Sequence, residues 1–229
     1  MPDDPDLECT VTVRVVERDP TDIVEEGYDR IADRHLAWIK EIRGDPRLRF
    51  LRDLMTRLPE RPKVLDLGCG AGEPCTAMLA EQGEVVGVDV SARQLELARL
   101  KVPSAPFVKA DMSTVEFSPA TFDAVTAFYS IAHVPRGRHA ELFRRIGIWL
   151  RPGGYFLASL GCGGGDGVVE EWLGTPMFFS SHDAPTNGYL LTDAGLAVRV
   201  DEVVTMEEPE GPATFQWVIA AKPSGEGHG

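Results

Sequence analysis

An apolar run, Val64-Leu65-Asp66-Leu67, leads straight into Gly68-Cys69-Gly70-Ala71-Gly72, and this junction restricts the fold more than any other part of the chain. A short buried strand, a glycine turn and a helix from Pro74 to Leu79 read as the opening of a βαβ unit. Glycine suits the turn because the backbone must reverse tightly and lie against a ligand with no Cβ in between. The turn is also expected to aim free N–H groups of the helix start at an anion above it. A second apolar strand, Glu84 to Val88, ends in Asp89. A glycine turn with a carboxylate one strand over implies a site for a nucleoside-bearing ligand.

Spacing narrows the ligand. The dinucleotide fingerprint G-x-G-x-x-G needs its third glycine for close packing of helix on strand. Here the glycines fall as G-x-G-x-G, and Glu73 stands where the third would be. A carboxylate beside a pyrophosphate repels it, whereas an ammonium- or sulfonium-bearing ligand meets no such conflict. The string from Val64 to Gly72 resembles the first motif of the class I S-adenosylmethionine-dependent methyltransferases. The resemblance extends over about residues 22–222 and is closest over 63–160.

Composition sets outer bounds. A chain of 229 residues, 43% hydrophobic, can bury one ordinary core and is expected to form a single domain. Lys and Arg total 23 against 36 Asp and Glu, a net charge of -13, which repels phosphate backbones and argues against a nucleic-acid substrate. Cys9, Cys69, Cys75 and Cys162 lack the paired spacing of metal ligands and read as reduced thiols of a cytoplasmic protein, with no metal site. No apolar run is long enough to span a bilayer, and the acidic start does not look like a secretory signal.

The segment before Asp19 alternates weakly at Cys9, Val11, Val13 and Val15 and reads as an edge strand or a disordered arm. Asp22 with Glu25 suggests a capped helix running to Arg43, with Tyr28, Ile31, His35, Trp38 and Ile42 on one face. Asp45-Pro46 opens a second helix that Pro59 ends. Both helices, lacking strand partners, are expected over the strand ends as an N-terminal cap spanning residues 1–62. From Lys63 strands are expected at 63–67, 84–89, 106–109, 122–128 and 154–160. Helices fall between them, one capped by Ser91 with Gln94 and one from Arg138 to Leu150. The runs Ala197 to Met206 and Thr214 to Ala221 are joined too closely to be parallel. The expected fold is α/β: a Rossmann-like, seven-stranded, mostly parallel sheet with an antiparallel last strand and helices on both faces. Residues 63–160 form its cofactor-binding core, 161–190 an acceptor or lid insertion, 191–222 a C-terminal strand pair and 223–229 a disordered tail.

Ligands of open α/β sheets bind beyond the carboxyl ends of the strands. The resemblance therefore implies a pocket for S-adenosyl-L-methionine, with S-adenosyl-L-homocysteine as product. Asp66, Gly68, Gly70 and Gly72 would hold its amino-acid portion, and Asp89 would accept from both ribose hydroxyls. Val90 would pack on the adenine, Asp111 would accept from its amino group, and Met112 would add a backbone donor. Phe128 ends the fourth strand, where the family contacts the methionyl amine through the main chain. Tyr28, in the run Tyr28-Asp29-Arg30-Ile31-Ala32, resembles the family's aromatic that folds over the sulfonium or carboxylate, or else it packs on the rim.

Methyl transfer is an in-line displacement with an excellent leaving group, so alignment and water exclusion matter most and a general base is optional. His133, after the fourth strand, is the first base candidate or else holds loop backbone. Tyr129 would orient an acceptor or line the wall. Gly161-Cys162-Gly163-Gly164-Gly165, followed by Trp172, Met177, Phe178 and Phe179, reads as a hinged lid over an apolar acceptor or as a loop with its own small core. His182 beside Asp183 is a second possible base. The strand end Ala127-Phe128-Tyr129-Ser130 lacks the Asn/Asp-Pro-Pro-Tyr sequence used on base amino groups, and no Asp-Asn pair follows it for a magnesium-dependent catechol site. No Cys-x-Cys or Cys-Cys pair suggests a metalloid acceptor. These features leave methyl transfer to oxygen or nitrogen of a small, largely apolar metabolite by a monomer or homodimer. An NAD(P)-dependent oxidoreductase and a non-catalytic cofactor binder are the alternatives.

Overall fold

A computed structural model describes residues 18–225. The expected arm or strand before Asp19 and most of the expected tail lie outside the described residues. β1 (Lys63–Leu67), β2 (Glu84–Asp89), β3 (Phe107–Lys109), β4 (Phe122–Ala127) and β5 (Leu150–Gly161) pair in parallel. β8 (Ala197–Glu208) and β9 (Gly211–Ala221) complete a seven-stranded sheet of order β3-β2-β1-β4-β5-β9-β8. β9 is antiparallel to both β5 and β8. β8 therefore runs in the direction of the core strands, and its carboxyl end arrives at the same rim as theirs.

Successive strand residues face opposite sides, so a sheet covered on both faces builds two cores from alternate positions. Leu65 and Leu67 of β1 join Val88, Val125 and Phe156 under α5 (His139–Trp149) and α6 (Ala184–Asp193). Val64 joins Val85, Ala124, Leu157 and Ile219 on the other face, under α2 (Arg47–Met55) and α3 (Cys75–Gln82). There Phe50 stacks on Trp217 with centroids 4.7 Å apart and planes 3° from parallel. α4 (Ala92–Lys101) connects β2 to β3, and Ser91 caps it by accepting from the Gln94 N–H.

The N-terminal region departs from expectation in three places. α1 spans Pro20–Ile39, capped by Asp19, whose carboxylate accepts from Thr21 N–H at 2.9 Å. Proline at the first helical position places the cap there rather than at Asp22. The helix ends before Arg43 because the Arg43 backbone exchanges two hydrogen bonds with Glu207 at the end of β8. The body of α2 lies on a sheet face, held by Phe50, Leu51 and Leu54, so α1 alone crosses the strand ends.

Residues 166–180, expected as a lid or a self-contained loop, form a two-stranded ribbon of β6 (Asp166–Trp172) and β7 (Thr175–Ser180). Leu173 and Gly174, both with positive φ (50° and 84°), make the two-residue turn that suits strand twist. The ribbon docks on α1 by burying Met177 and Phe178 against Ile23, Val24 and Ile31. A Cβ on Gly27 would stand 2.6 Å from Met177 Cε, so this glycine sets the approach of helix and ribbon. Among the described residues no helix is long and apolar enough to cross a membrane.

Candidate active site

A cavity of about 270 Å³ opens at the carboxyl ends of the strands, between the sheet and α1. The glycine turn forms its floor. Gly68, Gly70 and Gly72 have φ of 70°, 53° and 84°, a region disfavoured for residues with a Cβ. A Cβ on Gly68 would stand 2.2 Å from the Ser130 Cβ, so the turn and the end of β4 meet through a glycine. Gly70 faces open space, the nearest atom to its would-be Cβ being Gln94 Oε1 at 3.8 Å. Gly72 does not line the cavity; it admits Ala98 of α4 and Val102 just after it against the turn. The amides of the glycine turn itself are engaged within the fold. Gly68 and Cys69 N–H donate to Val88 O at 2.7 and 3.0 Å, and Gly70 N–H donates to Asp89 Oδ2 at 2.8 Å.

Asp89 ends β2 with its carboxylate half-buried at the cavity wall, accepting also from Ser91 N–H at 2.9 Å. Burial pushes its carboxyl up to about 6, against the two backbone hydrogen bonds, which lower it; Asp66 and Asp29 add to the rise. Asp66 plays another part. It lies within β1, 2% exposed, and its oxygens accept from Thr76 Oγ1 at 2.6 Å and Thr126 Oγ1 at 2.8 Å. Burial raises its carboxyl and the two hydroxyls lower it. Asp66 thus ties β1 to β4 and α3 beneath the turn.

Gln94, 1% exposed, lines the cavity with no hydrogen-bond partner for Oε1 or Nε2. A glutamine three residues into a capped helix normally reaches back to the cap's own N–H. Here Asp89 already takes that N–H, which leaves the Gln94 amide turned to the cavity. In the sequence Gln94 stands out only as a capping partner of Ser91; the signal for its second role is the competing Asp89 two residues before the cap.

Val90, Asp111, Met112 and Phe128 also line the cavity. Asp111 accepts from Ser113 N–H and Oγ, each at 2.7 Å, with Arg138 at 3.7 Å. Tyr28 projects from α1, and its hydroxyl lies 2.8 Å from His133 Nε2. His133 Nδ1 lies 2.8 Å from the Phe178 carbonyl, which can only accept. Nδ1 therefore carries the proton and Nε2 accepts from the phenol. Burial pulls His133 down to about 4, so this imidazole is neutral near pH 7. Burial raises the Tyr28 phenol, with Asp89 and Glu208 adding to it.

Tyr129 holds φ of 56°, and its N–H donates to Ser159 Oγ at 2.6 Å. Its hydroxyl donates to Asp45 at 2.7 Å beneath the Arg47 guanidinium, so it reaches the cavity as a wall with its polar end engaged. His182 is a correction. It lies outside the cavity, half-buried beside His139, with Nε2 donating to Arg136 O at 3.1 Å, because Asp183 caps α6 and turns the chain away. The ribbon supplies Trp172 and Phe179 to the wall, and α1 supplies His35 and Trp38. Among the described residues no three His, Cys, Asp or Glu side chains group to hold a metal ion.

Residues 64–154, the strands and helices that make this floor, match the family profile described as a methyltransferase domain. The chain belongs to the class I methyltransferases. Methyltransferase GfsG of Streptomyces halstedii is 31% identical over 167 residues, 67% of this chain and 59% of that one. Demethylmenaquinone methyltransferase of Symbiobacterium thermophilum is 31% identical over 150 residues, covering 58% and 57%. Trans-aconitate 2-methyltransferase of an Azoarcus species is 40% identical over 117 residues, covering 48% and 44%. This methyltransferase-family chain thus spans about half the length of the curated relatives it matches. Among solved structures, 1,6-didemethyltoxoflavin-N1-methyltransferase of Burkholderia thailandensis, with bound 1,6-didemethyltoxoflavin and S-adenosylhomocysteine, superposes with TM-score 0.67. The two are 22% identical, and the match covers 92% of this chain and 93% of that one. The [4+2]-cyclase SpnF has the same fold, with TM-score 0.68 at 17% identity over 88% of this chain and 95% of its own.

Proposed function

We propose that the chain transfers a methyl group from S-adenosyl-L-methionine to nitrogen or oxygen of a small molecule, releasing S-adenosyl-L-homocysteine. The observation that carries this reading is one wall of one cavity. Gly68 and Gly70 leave room where a Cβ would intrude, Asp89 and Asp111 end the next two strands, and the Gln94 amide stands buried without a partner. An unsatisfied buried amide costs about 1–3 kcal/mol, so a polar ligand that meets it is favoured. These groups fit an adenosyl amino acid: carboxylates for ribose hydroxyls and the adenine amino group, an amide for the polar end. When bound, that cofactor supplies an electrophilic methyl group on a good leaving group.

The chain's own task is then to bind, orient and keep dry. Asp89 holds the ribose side. Tyr28, locked by His133 and the Phe178 carbonyl, stands over the middle of the cavity as a fixed phenol. Its oxygen keeps lone pairs free for an acceptor's hydroxyl or amine. His133 acts through that phenol as a positioning residue, since its own Nε2 is engaged. Trp38, Trp172, Phe179 and Phe215 exclude water from the acceptor's side. The nicotinamide alternative falls away with the family. A non-catalytic binder remains the competing outcome, and an assay with S-adenosylmethionine and a library of small amines, phenols and alcohols separates the two. Products heavier by one CH₂ support transfer. Tight S-adenosylhomocysteine binding with no methylated product across the library would reduce the protein to a binder.

A further inference from the structure

The far edge of the sheet brings one more carboxylate to the cavity. β8 is six places from β3 in the sheet order, so the last residue of β8, Glu208, stands opposite the Asp89 and Asp111 side. Met206 and Glu208, two apart, face the same way, and both line the cavity beside Phe215 of β9. Tyr28 lies between the two sides, its phenol influenced by both Asp89 and Glu208.

Every other carboxylate in the lining has a partner. Asp66 accepts from two threonines, Asp89 from Gly70 and Ser91, and Asp111 from Ser113, while Glu73 pairs with Lys101 at 2.8 Å. Three donors near Glu208 are engaged elsewhere. Trp38 Nε1 donates to Glu210, and both the Arg47 guanidinium and the Tyr129 hydroxyl bind Asp45. Among the described residues nothing donates to the Glu208 side chain. Aromatic rings stand nearby: His35 stacks on Trp38 at 5.8 Å, and Trp38 meets Trp172 edge-on at 5.8 Å. A half-buried carboxylate with no cation, beside electron-rich ring faces, is complementary to a flat cation or an N–H donor.

We propose that Glu208 is the residue that selects the acceptor, binding the N–H of a flat nitrogen base (an amine, amidine or nitrogen heterocycle) and disfavouring carboxylate acceptors. The proposal rests on the methyl-transfer reading for calling this ligand an acceptor. The charges agree with it: among the described residues the only guanidinium in the lining is Arg47, held by Asp45, and His35 and His133 are neutral near pH 7. Burial, then Glu210 and Asp45, pushes the Glu208 carboxyl up to about 7. The charged or titratable groups around it are Asp45 and Arg47 at the start of α2, Glu210 in the following turn, Tyr28 and His35 on α1, and Tyr129 after β4. A cationic ligand favours the ionised carboxylate, so its affinity rises as pH climbs through about 7 and falls below.

The test uses benzamidine and benzoate, flat rings of opposite charge, titrated by calorimetry into protein saturated with S-adenosylhomocysteine. Benzamidine is expected to bind saturably and benzoate not to bind. Glu208→Gln should weaken benzamidine about tenfold or more at pH 8. It should also remove the rise in affinity between about pH 6 and 8 and leave S-adenosylhomocysteine affinity unchanged. Benzoate binding as well as benzamidine, no saturable benzamidine binding, or a Gln variant with wild-type affinity and pH slope would overturn the assignment. Failure of S-adenosylhomocysteine itself to bind strikes the cofactor reading instead. The benzamidine comparison then decides Glu208 on the unliganded protein by the same criteria.

Discussion

Asp89 offers a quantitative handle on the cofactor wall. Burial holds its carboxyl at about 6 in the free protein, with Gly70 and Ser91 amides on its two oxygens. A ribose diol donates to the ionised form, so the protonated fraction binds poorly. With a free-state value of about 6, roughly nine-tenths of the protein is ionised at pH 7 and one-tenth at pH 5, which weakens apparent affinity about tenfold. His133 and His35 stay mostly neutral above pH 5, each being held near 4, so neither obscures the slope. Titration calorimetry with S-adenosylhomocysteine at pH 7, 6 and 5 measures it. Asp89→Asn removes the titrating group and should cost about 1.5–3 kcal/mol at pH 7, the scale of a charge-assisted hydrogen bond. Its affinity should then stay level down to pH 5. The same carboxyl bears on stability in the opposite sense. A folded-state value above the ordinary 3.8 favours the protonated fold, so the free protein loses stability as pH rises through about 6. Wild-type affinity flat between pH 7 and 5, or an equal slope in Asp89→Asn, would refute the reasoning.

Other perturbations test other layers. Gly68→Ala places a Cβ on a residue with φ of 70°, and 2.2 Å from the Ser130 Cβ. It should destabilise the fold by roughly 2–5 kcal/mol in urea titration and abolish S-adenosylhomocysteine binding, and a stable, binding variant would disprove the close approach. Thr126→Val strips the buried Asp66 carboxylate of one donor and should cost about 1–3 kcal/mol by the same titration; a cost near zero would show that the Asp66 link is dispensable. His182→Ala should leave turnover on any acceptor found within about twofold, since the ring lies outside the cavity. A large loss of turnover would return His182 to the site.

Much of this architecture is legible in the chain because the first two core strands are short apolar runs ending in glycine or aspartate. Leu67 into Gly68, and Val88 into Asp89, mark both a strand and its ligand-facing end. The antiparallel strand pair is likewise marked by the short link between its strands. The ribbon is less visible. Val168-Val169-Glu170-Glu171 has little alternation and stays exposed, so nothing local distinguishes it from a loop. The two positive-φ residues Leu173-Gly174 were its single clue. The end of α1 was hidden for another reason: helical periodicity continues to Ile42, and pairing of Arg43 with β8 overrides it. At the site, types and strand ends locate Asp89, Asp111 and Phe128. They do not reveal which polar groups are already satisfied. Asp66, Tyr129 and Gly72 are engaged within the fold, whereas Gln94 and Glu208 are left without side-chain partners among the described residues by competition from Asp89 and Asp45.

The most direct test of the account is a crystal structure of the protein grown with S-adenosylhomocysteine. The expected result is an adenosyl group lying along the Gly68–Gly70 turn, its ribose hydroxyls on Asp89 and the Gln94 amide hydrogen-bonded to the ligand. A ligand elsewhere on the molecule, or a well-occupied ligand that leaves Asp89 and Gln94 untouched, would contradict it.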